Sequence, residues 1–218
     1  MEHQSCSDKE TPAKANSNPR LSIPYVLPLA FVLSLATFNV QGLSKVVNQH
    51  QLGLDCSNYS LDVIALQETK IKPFSDTILP CGNKLIIMEQ KDVCYAGLGF
   101  IVSKRLIPYI TQYHRVCDRV AWIDFNIPMR NGKPVLCRVV NGYCPTNTKS
   151  ENNPRLVQDF YRKLSSAISV PSRYELFVAC DFNGRLGMLD QADYDNGVSD
   201  YVGRHGMGKR NHNGHYLL

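Results

Sequence analysis

Leu61-Asp-Val-Ile-Ala-Leu-Gln-Glu-Thr-Lys70 is the stretch on which the fold turns. Leu61 to Leu66 has the length and composition of a buried strand, and it stops abruptly on four polar residues. The same arrangement occurs twice more. Phe31-Val-Leu-Ser-Leu-Ala-Thr-Phe-Asn39 is a short apolar run that ends on Asn39, and Tyr174-Glu-Leu-Phe-Val-Ala-Cys180 runs straight into Asp181-Phe-Asn-Gly-Arg185. Further strands are predicted at Leu85–Met88, Gly99–Ser103, Trp122–Ile127 and Val135–Tyr143, the last two joined by an Arg130-Asn-Gly132 hairpin turn. A helix is expected over the polar segment from Leu43 to about Tyr59, although Gly53 disfavours it. A second opens at Asn153-Pro154 and runs to about Ile168, with Leu156, Val157, Phe160, Tyr161, Leu164, Ala167 and Ile168 spaced along one apolar face. Strands interleaved with a few helices predict a layered α/β domain with mixed sheets.

Bulk properties set wide bounds. A chain of 218 residues with 44% hydrophobic and 20% charged residues is an ordinary globular composition and predicts a single domain. The balance of 24 basic against 19 acidic residues gives a net charge of +5, which permits an anionic partner without demanding one. Eight cysteines contain no CxxC pair and no zinc-ligand spacing with histidine, so they are expected as reduced, mostly buried thiols of an intracellular protein, nuclear or cytoplasmic. Residues 1–30 are expected as a disordered leader and 31–218 as the domain. The apolar stretch from Leu21 to Val40 is interrupted by Pro24 and Pro28 and acquires polar groups at Thr37 and Asn39, so no membrane span or export signal is predicted. A signal anchor over Leu27–Ala36 stays as the alternative.

The chemistry lies where the strands end. Asn39, Glu68, Asp181 and Asn183 each follow a buried strand, and in α/β sheets ligands gather beyond the carboxyl ends of strands. Two carboxylates and two carboxamides delivered there make an all-oxygen donor set suited to Mg²⁺ or Mn²⁺. Taken singly, each residue has another reading: Asn39 as a turn former, Glu68 or Asp181 as a helix cap or solvated loop acid.

Five strings in order narrow the choice: Thr37-Phe-Asn-Val-Gln-Gly42, Leu66-Gln-Glu-Thr-Lys70, Gly97-Leu-Gly-Phe100, Asn141-Gly-Tyr-Cys-Pro-Thr146 and Asp181-Phe-Asn183. Together they resemble the endonuclease/exonuclease/phosphatase superfamily, which includes exonuclease III-like endonucleases. Asp118-Arg119 before a strand, and the string from Gly203-Arg-His-Gly-Met-Gly to Asn213-Gly-His-Tyr-Leu-Leu218, are similar to endonuclease domains of non-LTR retrotransposons of the RTE-like group and to host proteins derived from them. A basic, flexible Gly-rich loop is the other reading of that last string. The resemblance implies a four-layer sandwich of two mixed, mostly antiparallel sheets flanked by helices. It also implies a metal-dependent endonuclease on DNA. Glu68 would be the principal Mg²⁺ (or Mn²⁺) ligand, helped by Asn39. Tyr143 would bond the scissile phosphate, Asp181 orient the attacking water, and Asn183 stabilise charge on the phosphoryl oxygens. Arg119, Arg204, Lys209 and Arg210 would contact DNA phosphates.

The family's pattern also implies a late Asp and a Ser-Asp-His string that supplies a histidine base, and no Asp-His pair occurs in this sequence. The expectation is therefore a monomeric domain lacking its C-terminal strands and any reverse transcriptase, with an open sheet edge, a tendency to aggregate and weak or no cleavage of DNA. A catalytically dead remnant that binds nucleic acid or protein is the alternative. A hydrolase of another phosphoester is a third.

Overall fold

The computed structural model describes residues 32–91, 96–129, 132–146, 154–203 and 205–218. The expected leader, Arg204 and the centre of the Arg130-Asn-Gly132 turn lie outside them. Nine strands form two sheets. The first has the order β1-β2-β5-β4-β3 and comprises β1 (Leu35–Asn39), β2 (Val63–Gln67), β3 (Ser75–Ile78), β4 (Lys84–Ile87) and β5 (Gly99–Val102). The second has the order β6-β7-β8-β9, from β6 (Ile110–Cys117), β7 (Val120–Ile127), β8 (Val135–Tyr143) and β9 (Tyr174–Asp181). Pairing is antiparallel except for two pairs, β1 with β2 and β8 with β9.

Helix α1 (Val46–Asn58) covers the outer face of the first sheet and α2 (Pro154–Ile168) that of the second. Four layers result, with three apolar interfaces between them. The central one joins the sheets: Val63, Ala65, Ile86, Phe100 and Val102 meet Ala121, Ile123, Phe125, Cys137 and Val139. Alternation along β2 explains why every residue of it is buried. Val63 and Ala65 face the opposite sheet while Ile64 and Leu66 face α1, so both sides are apolar up to Gln67, the last residue of the strand. The amphipathic stripe of α2 buries Val157, Phe160, Leu164 and Ala167 on Val120 and Val140, as its spacing predicts. In α1, Gly53 sits where a Cβ would stand 2.5 Å from Leu79 Cδ1, so helix propensity is given up for close packing on the sheet.

Two strands escaped sequence analysis, β3 and β6. Both are edge strands with half-exposed residues and no clean alternation, and the first strand begins at Leu35, with residues 32–34 outside it. At the opposite edge of the second sheet, β9 leaves Leu176, Phe177 and Val178 37–44% exposed, an uncovered apolar edge among the described residues. The six described cysteines are free thiols, and no described helix is long and apolar enough to cross a membrane.

Gly142 in β8 lies under α2 and opposite Cys180. A Cβ there would stand 2.5 Å from Cys180 Sγ and 3.3 Å from Phe160 Cζ. Gly142→Ala is therefore expected to destabilise the domain by about 1–3 kcal/mol through overpacking, read as a lower urea midpoint at unchanged m-value. An unchanged midpoint would show that this interface has slack.

Candidate active site

The two parallel pairs face each other across the sandwich, and parallel pairing places both carboxyl ends of a pair on the same rim. Asn39 ends β1, Glu68 follows β2, Tyr143 ends β8 and Asp181 ends β9. Four side chains from two sheets thus arrive at one place. The Asn39 carboxamide joins them, its Nδ2 donating to Glu68 Oε1 at 2.9 Å and to Asp181 Oδ2 at 3.1 Å. The Tyr143 hydroxyl donates to the same Glu68 Oε1 at 2.7 Å, and Lys70 Nζ lies 3.4 Å from Glu68 Oε2. Asp181 Oδ1 accepts from the Asn183 backbone N–H at 2.9 Å, and Asn183 Nδ2 donates to Cys144 O at 2.8 Å. The four residues read from strand ends in the sequence, and Tyr143, which the resemblance added, therefore fall within one connected network.

Backbone conformation marks the same place. Among the described residues five non-glycine residues have positive φ, and four of them, Gln41, Glu68, Lys70 and Asn183, lie in the loops that carry this network. A left-handed residue with a Cβ costs on the order of 1 kcal/mol, and such outliers gather where surrounding contacts over-determine the chain. Here the constraint is visible: Thr69, between two left-handed residues, has its N–H bonded to Gly97 O and its carbonyl to the Leu43 N–H.

Beneath the site lies a buried polar joint that the sequence did not reveal. Gln67 Nε2 donates to Asn141 Oδ1 at 2.7 Å across the sandwich, and Asn141 Nδ2 donates to Leu66 O and Gly99 O, both at 2.9 Å. Thr37 Oγ1 lies 3.0 Å from Gln67 Nε2. Gln67 and Asn141 were quoted among the strings and given no role. A carboxamide within a strand has no sequence signal that separates a core bridge from a ligand. Lys70, likewise quoted without a role, is the cation nearest Glu68.

The DNA-contact candidates are dispersed. Arg119 is at the site, its guanidinium 5.3 Å from the Tyr143 ring centre and its Nη1 donating to Tyr143 O at 3.4 Å. Lys209 is exposed in the C-terminal segment. Arg210 has an internal occupation: it pairs with Asp193 and donates to Leu186 O at 2.8 Å, stapling that segment together. Arg204 lies outside the described residues. Asp118 is held by Arg115 and by the Lys91 N–H, a structural use in the β6–β7 turn.

Chemically, the rim offers two carboxylates with amide and hydroxyl groups between them. Among the described residues no group of three His, Cys, Asp or Glu side chains gathers to hold a metal, which disfavours a dedicated zinc-type cage. Magnesium-like cations are held by one or two carboxylates and keep several waters, so Glu68 and Asp181, with the Asn39 carbonyl oxygen nearby, are the donors present for such an ion. Burial alone would raise the Glu68 pKa. Hydrogen bonds from Asn39, Tyr143 and Lys70, with the Lys70 charge, outweigh it and hold the carboxyl below its ordinary 4.5.

A group depressed in the folded state stabilises the fold above its unfolded pKa, and that contribution is lost as pH falls through the folded pKa. Tyr143→Phe removes one of the hydrogen bonds that lower it. The Glu68 carboxyl, followed by carbon-13 NMR, is expected to titrate at higher pH in the variant, and acid unfolding is expected to begin at higher pH. An unchanged Glu68 midpoint would contradict the bond.

No family model matches the chain and no curated protein matches it. Solved structures do. The catalytic domain of Xenopus laevis APE2 is 14% identical, with 74% of this chain and 63% of that chain covered and a TM-score of 0.52. The AP endonuclease LMAP from Leishmania major is 15% identical over 69% of this chain and 55% of its own, with a TM-score of 0.51. The 3′ phosphatase NExo from Neisseria, bound to product DNA hairpin, is 18% identical over 77% and 63%, with a TM-score of 0.51. The chain thus spans less than two thirds of the length of these proteins. At such identities the likeness is one of fold: the two-sheet, four-layer sandwich is an architecture that this chain shares with these three proteins.

Proposed function

We propose that this chain is a divalent-metal-dependent phosphodiesterase acting on DNA, of the nicking or abasic-site type and of non-LTR retrotransposon descent. The observation that carries the reading is the Asn39 carboxamide shared between Glu68 and Asp181, with the Tyr143 hydroxyl on the same Glu68 oxygen. Fold likeness to proteins described as AP endonucleases and a 3′ phosphatase supports it. So does the Gly203–Leu218 string, which resembles those elements.

In this reading Glu68, with Asn39, holds Mg²⁺ or Mn²⁺. The ion supplies Lewis-acid neutralisation of charge on the phosphoryl oxygens. The protein's own groups orient the reactants. Asp181, fixed by Asn39 and the Asn183 N–H, aligns a water for in-line attack and accepts its proton as the phosphorus–oxygen bond to the leaving sugar breaks. Tyr143 turns its single hydroxyl proton from Glu68 Oε1 to a phosphate oxygen. The second Nδ2–H of Asn183, which has no partner among the described residues, donates to another. Arg119 beside Tyr143, with Lys209 and Arg204, engages flanking phosphates, while Arg210 acts by holding their segment in shape. Among the described residues no histidine side chain bonds to any of these groups, and an imidazole base is commonly worth about 10²–10⁴-fold.

The test is cleavage of supercoiled plasmid and of a duplex with one abasic site, with Mg²⁺ or Mn²⁺ and with chelator. Slow, metal-dependent cleavage is expected, reduced to background by Glu68→Ala and about 100-fold in kcat by Asn183→Ala. Absence of any metal-dependent cleavage, together with DNA affinity that falls steeply with salt, would overturn the enzymatic reading and favour a binding module, consistent with the missing imidazole.

A further inference from the structure

We infer that Asn211 and Asn213, in the Gly-rich segment read from sequence as a phosphate-contacting loop, are positioning residues that clamp together the segments leaving β8 and β9 and so set the position of Asn183. The segment is packed, not loose. After β9 the chain passes through α3 (Gln191–Asp195) and returns to the site as the single helical turn α4 (His212–Tyr216). Gly214 makes the return possible, since a Cβ there would stand 2.0 Å from Arg185 O.

Asn213 is fully buried. Its Nδ2 lies 2.8 Å from Pro145 O and 3.1 Å from Phe182 O. Those two carbonyls belong to different loops, one two residues beyond Tyr143 and the other immediately after Asp181. Asn211 works beside it. Its Oδ1 accepts from the N–H groups of Gly214 and Arg185, both at 2.8 Å, while its Nδ2 donates to Asn183 O at 2.9 Å. Asn183 in turn donates to Cys144 O, which completes a ladder from α4 through both loops to the residue next to Tyr143.

Residue chemistry separates this role from ordinary capping. A helix cap needs an acceptor, and Asp or Ser serves as well as Asn. Donation to a backbone carbonyl needs the carboxamide N–H, and both asparagines use it on the site loops. Asn213 also keeps its Oδ1 buried without a partner, a desolvation cost that an apolar residue of the same size would not incur. The clamp lies beyond the Tyr143–Asp181 pair, which the β8–β9 ladder itself holds in register, so it sets the position of Asn183 against the segment that follows Tyr143, and a displacement of about 1 Å there can cost about 100-fold in rate.

The inference rests on the phosphodiesterase reading for its kinetic test and is also testable without it. Asn211→Asp keeps the cap and replaces the bond to Asn183 O with a repulsion between carboxylate and carbonyl oxygens. Asn213→Leu removes the cross-loop bonds at nearly constant volume. In Mg²⁺-dependent cleavage of the abasic-site duplex, kcat is expected to fall about 100-fold in each folded variant while KM changes by less than about threefold. If Asn213→Leu fails to fold, Asn211→Asp decides. A folded Asn211→Asp with wild-type kcat and KM would overturn the proposal. If the wild type cleaves nothing, the functional reading has failed and the clamp is judged by hydrogen exchange of side-chain amides followed by NMR. The Asn183 carboxamide, bonded to Cys144 O, is expected to exchange faster in Asn211→Asp while that of Asn83, bonded to Gly53 O, is unchanged. An unchanged Asn183 exchange rate would overturn the clamp independently of any activity.

Discussion

Gln67 and Asn141 meet in the dry centre of the sandwich, and the placement of the site depends on that contact. Elsewhere the inner faces meet largely through apolar side chains, which stabilise by area and tolerate sliding, with the Tyr113 hydroxyl on Asp76 a second polar link between β6 and β3. A hydrogen bond at 2.7 Å does not tolerate sliding. With Asn141 also holding Leu66 O and Gly99 O, β8 is fixed against both β2 and β5. A buried carboxamide left unpaired costs about 1–3 kcal/mol, so any other relation between the sheets is penalised. Gln67 directly precedes Glu68, and Asn141 shares with Tyr143 the inward face of β8, so fixing the joint fixes the Glu68–Tyr143 contact two residues away.

The second constraint is topological. Most neighbours in this fold are antiparallel and would alternate their carboxyl ends between opposite rims. The exceptions are the two parallel pairs, and they are the pairs that face each other. A single rim therefore receives four strand ends, and the left-handed residues in its loops turn their side chains back toward a common point. Asn39, with two N–H groups, is matched to two carboxylates that would otherwise repel.

Much of this was legible in sequence, for physical reasons. Buried strands must be apolar, so β2 and the buried part of β8 stood out, and polar residues at their ends were conspicuous by contrast. The amphipathic period of α2 carried it to about Ile168, where the helix ends. What could not be read shares a cause. β3 and β6 lie at sheet edges, where half-exposure removes the alternation that identifies a strand. The C-terminal segment owes its order to glycine-mediated close approach and to Asn211 and Asn213, neither of which leaves a period. Arg210 looked like a phosphate contact because a basic residue in a Gly-rich string does not disclose the buried partner, Asp193, that lies 17 positions before it. Gln67 and Asn141 were in plain view, but only their meeting in space gives them a role.

A double-mutant cycle on Gln67→Met and Asn141→Leu, with stability from urea unfolding, tests the cross-sheet joint most directly. Each single change strands the other carboxamide, whereas the double change leaves an apolar contact of similar volume. Coupling of about 1–3 kcal/mol is predicted, with the double variant more stable than the two losses would give by addition. Losses that add to within about 0.5 kcal/mol would mean that the two residues act independently, and would contradict the account of how the sheets, and with them the site, are held in place.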